Sequence, residues 1–102
     1  MILIFTTLEK KETAVKIGKE LLRKRVIACY NLFPVESAYL WKGKIEEENE
    51  VLMICKARKE NFEKVEKYLT LHSDYEIPEI VAVETSYVNK PYLDWINAET
   101  KS

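Results

Sequence analysis

Ala38-Tyr39-Leu40-Trp41-Lys42-Gly43-Lys44-Ile45-Glu46-Glu47-Glu48, residues 38–48, turns on its centre. Lys42-Gly43 stands between two strand-like runs, and the only other glycine, Gly18, lies inside a helical pattern. A tight two-residue hairpin is therefore the economical reading. That loop places Trp41 opposite Lys44, Tyr39 opposite Glu46 and Ser37 opposite Glu48. The arms reach outward over Val26–Trp41 and Ile45–Lys56. Pro34 cannot donate to a ladder, so the first arm belongs at a sheet edge or carries a bulge. Val51–Cys55 is continuously apolar, as a strand inside a sheet is, whereas the outer half of the hairpin is polar and stands away from the core.

Outside the hairpin, Ile2–Thr7 is a short apolar run too brief for a helix and reads as a buried strand. Ala14, Ile17, Leu21 and Leu22 recur at helical spacing between Lys10 and Lys24; Phe62, Val65 and Leu69 do so between Lys59 and His72. Ile80–Val88 follows the breaker Pro78 as a last strand, and Tyr92–Glu99 is a short terminal helix anchored by Leu93, Trp95 and Ile96. The order β-α-β-β-α-β, with both helices on one face of an antiparallel sheet, predicts an α+β, ferredoxin-like sandwich with a long hairpin and a short C-terminal helix.

Length and composition bound the function. The 102 residues, 47% hydrophobic and 32% charged, suit one packed domain over residues 1–102. The net charge of −1, with Lys and Glu interspersed, offers no basic field for phosphates, so no nucleic-acid partner is expected. An RNA-recognition module on this fold would need stacking aromatics on its middle strands, which here are aliphatic except for Phe5. No apolar run approaches the roughly 20 residues that span a bilayer, so no membrane is expected. Met1–Phe5 is shorter than a signal-peptide core and lacks a cationic lead. The expected location is cytoplasmic.

Few side chains carry chemistry. There is no phosphate-binding glycine loop, nucleophile elbow or spaced metal motif, and a single histidine, so no enzymatic activity is expected. His72 ends the second helix, where the dipole favours an imidazolium; as a metal ligand it would need partners from elsewhere. Cys29 and Cys55 come close to facing each other if Pro34 sits at a one-residue bulge, which would suit a soft ion such as Cu(I); two small core residues are the plainer reading. Glu46–Glu50 alternate faces along a strand, which favours a solvated, edge-protecting role over a metal site. Tyr39 and Trp41 share a face in the polar half of the hairpin and read as interface residues.

Together these residues resemble a known family. Phe5-Thr6-Thr7; Ala28-Cys29-Tyr30-Asn31; Ser37, Tyr39, Trp41, Gly43 and Ile45; Glu50-Val51 with Lys56; His72 with Tyr75-Glu76-Ile77-Pro78-Glu79-Ile80; and Tyr92-Leu93-Asp94-Trp95 occur in an order similar to that of the CutA divalent-cation-tolerance family. The resemblance runs nearly the whole chain. It departs at Asp74, which stands between Ser73 and the aromatic Tyr75 and makes the loop one residue longer. It departs again where copper-binding relatives carry a Cys and a His pair, because the matching positions are Thr6, Leu71 and His72. The resemblance implies a homotrimer linked to copper and divalent-cation tolerance, with no settled enzymatic activity. No cofactor is required, and copper or another divalent cation is expected to bind weakly through His72, Cys29 or Cys55. The similarity of such trimers to PII-type signalling proteins implies the alternative, a small effector in an intersubunit cleft lined by Tyr39, Trp41, Glu50, Lys56, Tyr75 and Glu76.

Overall fold

In the computed structural model, which describes residues 1–101, four strands form one antiparallel sheet in the order β2-β3-β1-β4. The elements are β1 (Ile2–Leu8), α1 (Lys11–Arg23), β2 (Cys29–Trp41), β3 (Lys44–Ala57), a 3-10 turn (Lys59–Asn61), α2 (Phe62–His72), β4 (Val81–Glu84) and α3 (Lys90–Glu99). This is the α+β, ferredoxin-like arrangement expected from the pattern.

The hairpin closes as its turn residues require. Lys42 and Gly43 both have positive φ, 51° and 79°, the type I′ combination whose twist matches that of the flanking strands. Tyr39↔Glu46, Ser37↔Glu48 and Trp41↔Lys44 pair as the two-residue loop predicts. Pro34 lies on the edge strand opposite Val51, and the register runs unbroken from Trp41↔Lys44 to Cys29↔Lys56. The edge position alone accommodates it, without a bulge. β2 and β3 are 13 and 14 residues long, about twice the usual strand of 5–6, and stretch the chain to 45 × 26 × 21 Å.

β4 is shorter than the run Ile80–Val88 suggests. Its ladder to β1 ends at Ile2↔Glu84, and the Thr85 N–H reaches the Met1 carbonyl at 3.1 Å. β2 likewise starts at Cys29 because Val26 and Ile27 fill the core from the α1–β2 connection. That connection is set by Arg25 in the left-handed region (φ 58°), with Arg25 N and Val26 N bonded back to the carbonyls of Leu22 and Leu21.

Alternation sorts the side chains by face. Ile2, Ile4, Leu8, Met53, Cys55 and Ala57 are buried beneath α1 and α2, against Ala14, Ile17, Leu21, Val65 and Leu69. The opposite face carries Leu3, Phe5, Phe33, Val35, Leu52, Ile54, Val81 and Val83, apolar residues that neither α1 nor α2 covers. Phe33, Val81 and Val83 are 45%, 52% and 49% exposed. At the far end Arg58 donates to Thr100 Oγ1 (2.9 Å) and to the carbonyls of Thr100 and Asn97. Buried Asn61 donates to the carbonyls of Val26 (3.2 Å) and Lys101 (2.6 Å), which holds the chain end against the helical layer.

Candidate functional site

The outer half of the hairpin and the loop after α2 enclose a cleft of about 660 Å3, within the usual range for ligand sites. β2 supplies Tyr39 and Trp41, β3 supplies Glu46, Glu48 and Glu50, and the loop supplies Tyr75, Glu76, Ile77 and Glu79; Thr7, Glu36, Ser37 and Ala38 complete the wall. The hairpin residues arrive there because i, i+2 and i+4 share a strand face, and cross-strand pairing lays Glu46 and Glu48 beside Tyr39 and Ser37.

The loop is held by two bonds. Tyr75 N donates to Ser73 Oγ at 3.2 Å, a turn that takes up the extra residue Asp74, and Tyr75 Oη donates to Glu50 Oε2 at 2.5 Å. Glu50 is 9% exposed, a carboxylate satisfied chiefly by that phenol. Burial, then the hydrogen bond to Glu50, raises the Tyr75 phenol above its ordinary range, with smaller contributions from the charges of Glu50, Glu48 and Glu9. Tyr39 is raised as well, first by hydrogen bonding to Glu48 and then by burial and the charges of Glu48, Glu50 and Glu46. Both phenols therefore remain protonated donors facing carboxylates. Six glutamates and no Lys, Arg or His line the cleft, so its field attracts cations and repels anions.

Five of the six cleft residues expected from sequence meet here. Lys56 does not: it lies six residues along β3 from Glu50, about 20 Å at strand rise, where its ammonium donates to Tyr92 Oη (3.3 Å) and sits over that ring. Glu36, Glu46, Glu48 and Glu79 join the cleft beyond the expected set, and the pairing of Tyr39 with Glu46 and Ser37 with Glu48 is the signal in the sequence that points to two of them.

The expected copper ligands do not converge within one chain. Without a bulge, Cys29 faces Lys56 and Cys55 faces Tyr30, so the two thiols point to opposite faces of the sheet. Burial, with a smaller contribution from Cys29, pushes the Cys55 thiol up to about 12, which disfavours the thiolate a metal needs. His72 lies at the end of α2 with its ring 4.1 Å from that of Tyr68. Among the described residues no three His, Cys, Asp or Glu side chains are grouped closely enough to hold an ion.

A ferredoxin-like chain with an overlong hairpin, an apolar sheet face left open by α1 and α2, and an acidic aromatic cleft along the outer half of the hairpin defines the class. Residues 2–99 match the family described as CutA1 divalent ion tolerance protein, and the chain belongs to that family. It is 40% identical over 101 residues to the divalent-cation tolerance protein CutA of Pyrococcus horikoshii, covering 99% of each. It is 36% identical to the human protein CutA, of which it spans 55%. The crystal structure of CutA1 from Pyrococcus horikoshii superimposes with a TM-score of 0.95 at 39% identity over all of both chains. The structure of the Archaeoglobus fulgidus protein, described as a periplasmic divalent cation tolerance protein, gives 0.96 at 37% identity over 99% of this chain and all of that one.

Proposed function

We propose that the chain assembles into a cytoplasmic homotrimer that serves in tolerance of divalent cations, copper foremost, and that it binds the ion weakly and catalyses no reaction. The observation that carries this reading is the sheet face of Leu3, Phe5, Phe33, Leu52, Ile54 and Val83. A lone protomer leaves that apolar surface and the edges of β2 and β4 in water, so a further copy of the chain is its natural cover. The number three follows the family resemblance. Divalent-cation tolerance is what the Pyrococcus and Archaeoglobus relatives are named for.

Ion binding is assigned to scattered donors: His72 for Cu(II), Cys29 for the reduced ion, and the cleft carboxylates as hard-oxygen contacts. No cofactor is required for folding on this reading. Light scattering at micromolar protein, followed by copper titration before and after EDTA, tests it. Expected are a mass of three chains, modest affinity that falls in His72→Ala, and a melting temperature that EDTA leaves almost unmoved. A monomeric mass, or unfolding by EDTA, refutes it.

The alternative, a PII-like module with a small effector in the cleft, is favoured by one observation: Tyr39, Trp41 and Tyr75 line it together. With six glutamates around them the effector would have to be cationic. A stoichiometric small molecule retained in native mass spectrometry would establish that reading over the bare cation binder.

A further inference from the structure

On the helical face, away from the cleft and the uncovered sheet face, α1 and α2 leave a groove of about 330 Å3 between them. Its floor is Leu21, Val26, Tyr68 and Leu71, and its rim is Lys24, Lys64 and Lys67. The pattern is not that of a solvated helix surface. Val65 and Leu69 already serve the core, yet Lys64, Lys67, Tyr68 and Leu71 form a second stripe at i, i+3, i+4 and i+7. Leu71 in that stripe is 70% exposed, among the most exposed large aliphatic side chains of the protein.

The three lysines are unspent. Among the described residues none has a carboxylate within ion-pair distance, whereas Arg23, Arg58, Lys59 and Lys90 each do. Lys24 instead sits 5.7 Å from the Tyr68 ring centre, and no acidic side chain lines the groove. An apolar floor under three ammonium groups that make no ion pair is complementary to an apolar body with an anionic head.

We propose that this groove binds an amphiphilic anion, a small molecule with an aliphatic or aromatic body and one carboxylate or phosphate head. The body lies on Tyr68 and Leu71, and the head is held by Lys24, Lys64 and Lys67. Because the groove is on the opposite side of the sheet from the apolar face assigned to assembly, each chain of an oligomer keeps its own copy.

Decanoate, kept below its micelle concentration, is the probe, followed by amide chemical shifts of the full chain. Expected is saturable binding of one decanoate per chain with shifts centred on Leu21, Lys24, Tyr68 and Leu71. The double variant Lys64→Glu/Lys67→Glu and the single variant Leu71→Gln should each weaken it by about tenfold while melting like the parent. Decanol, without the head, and acetate, without the body, should bind at least about tenfold more weakly. Unsaturable shifts, affinity unchanged in either variant, decanol binding as well as decanoate, or binding to phosphatidylglycerol vesicles without binding to decanoate would each overturn the proposal.

Discussion

Tyr75→Phe isolates the bond that joins the loop after α2 to the hairpin. The substitution removes one hydroxyl, keeps the ring, and takes from nearly buried Glu50 the donor 2.5 Å away. A hydrogen bond to a charged acceptor contributes about 1.5–3 kcal/mol; with Tyr75 itself only half-buried, a cost of about 2 kcal/mol at neutral pH is expected. The pH dependence is more diagnostic than the size. In the unfolded chain the phenol ionises near 10.0, whereas in the folded protein it is raised above that. Above pH 10 the unfolded state thus binds fewer protons, and stability falls as pH rises; below 10 the contribution is complete. By about pH 11 the parent should have lost about 1 kcal/mol through this residue, after discounting for solvent, and Tyr75→Phe should not. Guanidinium unfolding of both proteins at one fixed chain concentration reads the difference, and ionisation of the remaining groups, including Cys55, cancels between them. The gap should narrow from neutral to alkaline pH. A gap below about 0.5 kcal/mol at neutral pH, or one that widens with pH, would refute the bond as described.

In the proposed trimer, Trp41→Ala removes a half-buried indole at the hairpin tip and should weaken subunit association by about 2 kcal/mol or more, so dilution dissociates the variant before it unfolds; unchanged dissociation by light scattering would make Trp41 a surface residue. Gly18→Ala would set a Cβ 2.6 Å from Tyr30 Cε2 and 2.8 Å from Met53 Cε. Overpacking of about 1–3 kcal/mol outweighs the helix-propensity gain of about 1 kcal/mol, so a net loss of about 1 kcal/mol is expected, and a stabilised variant by thermal melting would show that ring and thioether move aside. Cys55, buried and raised to about 12, should resist thiol reagents in the native protein at about pH 8 and react fully in guanidinium; rapid native labelling by mass spectrometry would contradict its placement.

Much of the architecture could be read before any tertiary contact was known. Lys42-Gly43 specifies a two-residue turn, the turn specifies a register, and the register carries Tyr39 to Glu46 and Ser37 to Glu48. Pro34 excludes its strand from the interior, and the helical spacing of Ala14, Ile17 and Leu21 and of Phe62, Val65 and Leu69 places two helices on one face. These are local instructions, since each acts through a backbone angle, a missing donor or a periodicity within a few residues.

The functional surfaces depend on distance and parity, which no local pattern contains. An unbroken ladder past Pro34 sends Cys29 and Cys55 to opposite faces, while a single inserted residue would have put them on one; proline at an edge permits either. Lys56 lies outside the cleft because six residues of strand separate it from Glu50. Tyr75 lies inside because the loop after α2 folds back across Glu50. The extent of β4 is set by its pairing with β1, and the lysine-rimmed groove exists only where α1 and α2 lie side by side. The amino-acid order determined what each segment is; how far each segment reaches, and which of its faces meets which neighbour, was decided by the packing of segments far apart in the chain.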